Sequence, residues 1–568
     1  MSSLEKYNTD RRNLLKSGVV AGAWTLIGSI SSAQAVKSEV PPNFPEGLNI
    51  YRNVFRNWSG TIITDQLWTT AVASPDQVER IVNWAADNAY RVRAKGYGHT
   101  WSPLLVDAGT ASDTAVIMVD TTQLNAMSMV DAERVRLQAG AEMEQVMMFL
   151  SHNGRSFLGA PAPGNLTVGG VLAINGHGSS TPKSGVTAPA GGTYGTLSNT
   201  VVELTAVVWD DSAGRYTQQT FHRSDSRIGP LLAHLGRAFV TEVVLQTVAN
   251  YNVRCRNTTL IPAGELFAHP DKAGSRSIEA FLDSRGTVGV IWYAMTFFPW
   301  VQTWEVSPKK PLLSVTRNSP YNYPFADRLP PDVANLIARM TQESRALTPL
   351  ALSSLLQATR AGLVKWAALD MWGEAKNFIH FVKPSTLLVS AGAHVVITRR
   401  DQVQGLVHEF TEYYKSVIST FQKRGQYPAN NVCEIRITGV DNPADIGIDG
   451  AATATLSSAR PVPGRPDQDT AVWIDVLNLP GTPNTGEFFV YLDAWFERLP
   501  AERAVARPEW AKRFAHTSAG PWTSEDHLLR WIPGQFPEWE QSVKALERLD
   551  PRGVFRAAFH DRLMPRSS

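Results

Sequence analysis

The sequence predicts an α+β protein built as two unequal domains. A chain of 568 residues is longer than one ordinary hydrophobic core serves. From about Trp58 to Asn250, strand and helix patterns alternate. From Cys255 to about Trp510 the texture changes to short strands rich in aromatic and β-branched residues, set between helices and proline-rich loops such as Pro461-Val462-Pro463-Gly464. With 43% apolar and 19% charged residues, the chain is expected to fold. A net charge of +2 with no long basic run argues against nucleic acid as a partner.

The elements come in chain order. Residues 1–35 are set apart as an export signal. Arg11-Arg12 and Lys16 precede an apolar stretch from Ser17 to Ile30, and Ala33-Gln34-Ala35 forms a small-residue cleavage site. The stretch is short for a membrane span. Arg11-Arg12-Asn13-Leu14-Leu15-Lys16 resembles a twin-arginine signal, so the mature chain, starting near Val36, is expected to be exported to the periplasm or beyond the cell. Next, Ser74-Pro75-Asp76-Gln77 carries the cap, first-turn proline and capping-box glutamine of a helix start. Tyr90–Ala94 and Ala115–Val119 read as strands, Met143–Ser151 as a helix closed by Asn153-Gly154, and Val201–Trp209 and Phe239–Val248 as strands. In the second region, Val333–Glu343 and Gln402–Phe421 read as helices, and Trp531–Pro565 reads as mostly helical. Cys255 and Cys433 show no metal-ligand spacing and are expected to be two buried free thiols; no metal site is expected.

Four glycine-bearing constellations carry the chemistry. In Arg93-Ala94-Lys95-Gly96-Tyr97-Gly98-His99-Thr100 a strand enters a loop whose glycines can gather backbone N–H groups into an anion nest suited to a pyrophosphate. It is neither a Walker A loop nor the G-x-G-x-x-G fingerprint. The second runs from Pro161-Ala162-Pro163-Gly164-Asn165-Leu166-Thr167-Val168-Gly169-Gly170 into Val171-Leu172-Ala173-Ile174-Asn175-Gly176-His177-Gly178, a short helical segment bracketed by glycines. Small residues there let a flat cofactor lie against the backbone. Tyr194-Gly195-Thr196-Leu197-Ser198-Asn199-Thr200-Val201-Val202 is a turn entering a strand, and Arg237-Ala238-Phe239-Val240-Thr241-Glu242 is the fourth. In Glu434-Ile435-Arg436-Ile437-Thr438, strand alternation puts Glu434, Arg436 and Thr438 on one face. A fixed guanidinium there can stabilise developing negative charge; the bland alternative is a solvent-facing ion pair.

In this order the four constellations resemble the FAD domain of the vanillyl-alcohol oxidase superfamily. The resemblance implies FAD bound covalently through His99, with Lys95, Gly96, Tyr97, Gly98, Thr100, Pro163, Gly164, Thr167, Gly169, Gly170, Asn175, Gly176, His177, Gly178, Gly195, Ser198 and Val202 as cofactor-binding positions. For His177 the favoured role is a structural hydrogen bond. Together with Asn322-Tyr323-Pro324-Phe325, Val382-Lys383-Pro384 and Glu434-Ile435-Arg436-Ile437-Thr438-Gly439, these stretches resemble the second class of bacterial cholesterol oxidases, from about Pro41 to the C-terminus. This resemblance implies a vanillyl-alcohol oxidase-type flavoprotein with an FAD-binding domain over 36–250 and a substrate domain over 251–514. The substrate domain would hold a large, mostly antiparallel sheet flanked by helices, and 515–568 would return to the FAD domain. The implied reaction is oxidation of a 3β-hydroxysteroid to the ketone with double-bond migration and release of hydrogen peroxide from O₂. Glu434 and Arg436 are the implied catalytic pair; Glu434 is the natural candidate base, with Asn478 and Asp475 weaker catalytic candidates. In one departure from the pattern, the family's further active-site glutamate falls on Gly289. Trp292, Phe297, Phe298, Trp300 and Trp372 suggest an apolar substrate pocket. A same-fold oxidase of a sugar alcohol or lactone would need a more polar pocket, and a secreted lipid carrier would have no use for the Gly96–His99 loop. Sterol and O₂ are the expected partners, with transient contact with membranes or micelles, and a monomer is expected.

Overall fold

A computed structural model describes residues 40–327, 331–342, 344–379 and 388–566. The export segment 1–35 and Val382-Lys383-Pro384 lie outside the described residues. Residues 45–568 make one unit by their contacts. Within it the strands are β1 (Ile50–Arg56), β2 (Ile63–Ala71), β3 (Arg91–Lys95), β4 (Val116–Asp120), β5 (Met127–Met129), β6 (Arg134–Gln138), β7 (Arg155–Ser156), β8 (Val201–Asp210), β9 (Arg215–His222), β10 (Phe239–Gln246) and β11 (Val248–Ala249) in the first half. The second half holds β12 (Asn252–Thr258), β13 (Thr287–Tyr293), β14 (Trp300–Val306), β15 (Val315–Thr316), β16 (Asp370–Glu374), β17 (Ser390–Thr398), β18 (Val432–Gly439), β19 (Thr470–Asn478) and β20 (Ala504–Pro508).

The sheets divide near residue 250. The first half carries a four-stranded sheet, β1-β2-β4-β3, and a five-stranded one, β5-β6-β10-β8-β9. The second half carries a nine-stranded sheet, β15-β16-β12-β14-β13-β18-β19-β17-β20, antiparallel apart from the β15–β16 pair. Among the described residues no named strand pairs across the divide; a lone bridge, Ser180 to Thr438, does. The fold is thus an FAD-domain-like half and a large antiparallel sheet with helices. The halves cluster as one unit because loops and the C-terminal segment stitch them. That segment docks on the first half: Val92 N donates to Val554 O (2.8 Å), Tyr216 Oη donates to Asp550 Oδ1 (2.6 Å), and Leu235 O accepts from His560 Nε2 (2.7 Å).

Period-two alternation divides the nine-stranded sheet chemically. Val288, Val290, Trp292, Cys433, Ile435, Ile437, Val472, Ile474 and Val476 join the core cluster on one face, under helices such as Ile278–Arg285, Val403–Gln422 and Thr485–Glu497. Gly289, Glu434, Arg436, Trp473 and Asp475 take the other. Both cysteines are buried and free. Local signals hold with small shifts. Ser74 caps the helix Pro75–Asp87 (Gln77 N to Ser74 Oγ, 3.4 Å), but Gln77 Oε1 returns to Ala73 N (2.7 Å), one residue before the capping-box donor. The apolar run Phe239–Val248 splits at Thr247, whose N donates to Glu133 O (2.9 Å) where the chain passes from the five-stranded sheet to the β7–β11 pair. The C-terminal stretch is helical over Trp539–Leu549 and Ala558–Leu563, interrupted by a turn at Pro551 and by Gly553 at φ +71°.

Candidate active site

Strand β3 delivers its chain into a cleft of about 120 Å³ lined by Gly96, Tyr97, Gly98, His99, Thr100, Thr167, Gly169 and Gly170. Two glycines have specific reasons to be there. Gly98 sits at φ +73°, and a Cβ on Gly96 would press into the Thr167 side chain, 2.9 Å from its Cγ2. Thr167 caps the helix Val168–Ala173, its Oγ1 accepting from Gly170 N (3.3 Å). His99 is stacked on Trp58 (centroids 5.7 Å apart), and its Nε2 is buried without a hydrogen-bond partner among the described residues. Burial pushes its pKa down to about 4, against an opposing contribution from Asn165. At neutral pH the ring is therefore neutral, with an unpaired buried nitrogen. Such a nitrogen, beside a glycine cradle, fits alkylation by a flavin methyl group.

A second cavity, of about 360 Å³, lies on the polar face of the nine-stranded sheet, within the size range of small-molecule sites. Its wall is partly apolar, through Leu158, Val253, Ile291, Trp304, Phe378 and Ile379, and Glu434 and Arg436 face into it. Glu434 stands directly opposite Asp475 across β18 and β19, while Arg436 pairs in register with Gly289 of β13. Arg436 bridges both carboxyls: Nη2 is ion-paired with Glu434 Oε2, and Nη1 lies 3.1 Å from Asp475 Oδ2. Lys512 reaches Asp475 Oδ2 (3.2 Å) and Glu509 Oε1 (3.6 Å). His177 lines the cavity, stacks on Trp473 (3.5 Å) and places Nε2 3.5 Å from Glu509 Oε1. Burial, and next the Glu509 charge, push the Asp475 carboxyl upward. Burial alone would also raise Glu509, but Lys512 and His177 hold it below the usual range.

The structure gathers some of the sequence-predicted residues and leaves others outside. Gly96 to Thr100, Thr167, Gly169 and Gly170 line the cleft, whereas His177, Gly178, Glu434 and Arg436 line the larger cavity. Lys95 is paired with Asp120 (2.9 Å). Gly164 O accepts from Glu144 N, Gly176 backs onto Val171, Gly195 backs onto Val440, and Ser198 Oγ donates to Leu172 O (3.3 Å). Pro163 and Val202 lie outside both linings, Val202 within β8. Asn175 is buried in a bracing network, with Nδ2 to Thr196 Oγ1 (2.6 Å) and Oδ1 accepting from Ser458 N (2.9 Å), which ties the first half to the second. Asn478 is a correction. Three residues beyond Asp475, it falls on the opposite face, and its Oδ1 accepts from Arg513 Nη2 (2.7 Å). The aromatic supply is a second correction. Trp292 and Trp300 fill cores, Phe297 is 66% exposed, Phe298 lies under Arg360, and Trp372 donates to Ser307 O; Trp304 lines the cavity instead. At Gly289 a Cβ would meet the Trp304 ring at 3.2 Å, so indole occupies the space where a carboxylate would stand. Glu509 and Lys512 were not anticipated: in Glu509-Trp510-Ala511-Lys512 they look like solvated charge, and only the fold buries them.

A glycine-lined cleft with a buried, unpaired imidazole and a cavity floored by an arginine–carboxylate strand are the features of a flavoprotein oxidoreductase. Comparison with known proteins supports this class. A family described as an FAD binding domain matches residues 69–213, and one described as cholesterol oxidase, substrate-binding, matches 252–565. Among solved structures, a solvent-stable cholesterol oxidase is 41% identical, with a TM-score of 0.90 over 92% of this chain and 99% of that one. Cholesterol oxidase from B. sterolicum is 35% identical, with a TM-score of 0.90 over 93% and 99%. A histidine-to-alanine variant of the Brevibacterium sterolicum enzyme aligns with a TM-score of 0.89 at the same identity. No curated protein matches the chain. The chain belongs to the cholesterol oxidase family, and FAD is the cofactor its first half is built to bind.

Proposed function

We propose that this protein is an exported oxidase of cholesterol and related 3β-hydroxysteroids. It would convert them to the 3-ketone, isomerise that to the Δ4-3-ketone, and reduce O₂ to hydrogen peroxide, with FAD attached covalently to His99. The observation that carries the reading is the cavity, in which an apolar wall of Leu158, Val253, Ile291, Trp304, Phe378 and Ile379 meets Glu434 held by Arg436. A sterol offers one hydroxyl and a large apolar body, which suits such a wall. A sugar alcohol would leave hydroxyls unpaired along that apolar wall. When bound, FAD supplies the hydride acceptor and passes the electrons to O₂. Gly96 to Thr100, with Thr167, Gly169 and Gly170, would hold it.

The chain's own residues do the rest. Glu434 takes the hydroxyl proton and, with Gly289 offering no carboxylate, also moves the ring proton during double-bond migration. Arg436 stabilises negative charge as it develops on the substrate oxygen. His177, stacked on Trp473, lines the cavity from the cofactor half. Residues 1–35 direct export, and transient docking on lipid delivers the sterol to a monomeric enzyme. The test is product analysis of the purified enzyme in air. Cholesterol should yield the ultraviolet-absorbing conjugated ketone and hydrogen peroxide, and Glu434→Gln should accumulate the unconjugated ketone. Turnover of sugar alcohols but not of cholesterol would replace this reading with the polar-substrate one.

A further inference from the structure

Behind the cavity lies a group of charges that the proposed chemistry does not use. Asp475 is 1% exposed and Glu509 6% exposed. Neither lines the cavity. Asp475 gives Oδ2 to Arg436 and to Lys512, and Glu509 gives Oε1 to Lys512 and His177. Each keeps one further oxygen, Asp475 Oδ1 and Glu509 Oε2, buried with no donor to satisfy it. Both are held by the same ammonium, Lys512 Nζ lying 3.2 Å from Asp475 Oδ2 and 3.6 Å from Glu509 Oε1, which brings the two carboxyl groups together. Two carboxylates have no donor between them, so a hydrogen bond joining them needs a proton, for which the unsatisfied Asp475 Oδ1 and Glu509 Oε2 are the open positions. With one ammonium shared between them, two buried carboxylates resist ionising together.

We propose that Asp475 and Glu509 share one proton and act as a single acid–base unit whose charge divides Arg436 between Asp475 and Glu434. The groups facing the pair are Glu434 and Arg436 from β18, Lys512 from the segment after β20, and His177 from the cofactor half, while Cys433 of β18 and His394 of β17 lie on the far side of the sheet. With its proton, the pair carries one negative charge, matched by Lys512, and Arg436 is left to neutralise Glu434. When the proton leaves, the pair carries two. Arg436 is then drawn toward Asp475, and Glu434 is freed to accept a proton. The exit is open on one side: His177, 3.5 Å from Glu509, also lines the cavity, so the proton passes to solvent there. Asp475 and Glu509 touch neither substrate nor cofactor on this account. They are positioning residues acting through Arg436. The upward displacement of Asp475 and the downward displacement of Glu509 accord with a proton held on the aspartate side.

The consequence for rate rests on the sterol-oxidase reading, but the proton itself does not, so the decisive experiment needs no substrate. Infrared difference spectra of the resting holoenzyme, wild type minus variant, read the carbonyl stretch of a protonated carboxyl through its shift in D₂O. The wild type should show one such band, titrating above the ordinary carboxylate range. Asp475→Asn and Glu509→Gln should each abolish it, because an amide donates to the surviving carboxylate without a shared proton. In parallel, wild-type kcat/KM for cholesterol should rise tenfold per pH unit up to this ionisation and then level off. In Asp475→Asn that limb should vanish. A uniform loss of rate with the limb unmoved would mark a merely structural role and overturn the coupling to Arg436. Absence of the band from the wild type, or its survival in both variants, overturns the shared proton. Should a variant fail to fold, the wild-type band and its titration decide alone. An intact band in an enzyme inert to cholesterol would sink the substrate reading and leave the proton pair standing.

Discussion

Arg436→Met is the most informative single substitution at the site, because it keeps the aliphatic stem and removes only the charge. In the native protein Arg436 serves two carboxyls, Glu434 by a direct ion pair and Asp475 at 3.1 Å. With the guanidinium gone, Lys512 alone faces Glu434, Asp475 and Glu509. Breaking a buried pair by removing one partner costs about 3–5 kcal/mol, since the remaining charge is stranded. The cluster can escape part of that cost by taking up a proton. Each pH unit between the ordinary carboxylate ionisation of the unfolded chain and the raised folded-state one costs about 1.4 kcal/mol. The folded variant therefore binds more protons than its unfolded chain, and its stability falls as pH rises. The penalty should be near its full ~3–5 kcal/mol at pH 8 and largely gone by pH 5. Urea melts of wild type and variant at pH 5, 6, 7 and 8 measure this directly. The same charge faces the cavity where alkoxide character develops, so kcat for cholesterol should drop on the order of 10²-fold. A penalty that does not change between pH 5 and 8, together with wild-type kcat, would refute both the buried-cluster argument and the catalytic role.

Three further perturbations have definite expected outcomes. His99→Ala should bind FAD only noncovalently, so a denaturing gel that shows flavin fluorescence on wild type should show none on the variant. Exchanging Arg11-Arg12 for two lysines should leave folded, flavin-loaded enzyme inside the cell; unchanged export would point to the general secretory route. Acid should destabilise the protein through His394, whose burial pushes its pKa down to about 3, and through His516, also lowered by burial. The unfolded chain protonates these rings below about pH 6.5, while the fold resists until much lower pH. Stability is therefore lost as pH falls through that window, at about 1.4 kcal/mol per pH unit for His394, with His516 adding loss in the same direction. Asp493, which burial would raise but His516 at 2.9 Å holds low, adds loss in the same direction. A melting temperature that stays flat from pH 6.5 to 4 would contradict this.

Several features of the site were legible because they depend on local rules. The period of two placed Glu434 and Arg436 on one face, and the glycine spacing around Gly96 and Gly98 marked a nest. The same rule, carried one strand further, sets Asn478 opposite Asp475 and Trp292 opposite Gly289, so both corrections come from applying alternation strictly. Trp292 pairs in register with buried Cys433 on the helix-covered face, whereas Trp304 stands opposite Thr287 on the cavity side. Glu509 and Lys512 could not be read in this way. Their burial comes from a segment that follows β20 and packs beneath β19, a long-range placement with no periodic signature. Asn175 was legible as unusual but not as to role. It sits at φ +59°, and its partners Asp441 and Ser458 lie far along the chain.

The central claim is that a sterol is the reductant of the flavin held in this fold. It is tested most directly by mixing the purified holoenzyme with cholesterol in the absence of oxygen and following the visible flavin absorbance. The account predicts rapid bleaching with one sterol consumed per flavin, and recovery of the yellow spectrum when air is admitted. A flavin that stays oxidised in excess cholesterol, yet is bleached by a sugar alcohol, would contradict it.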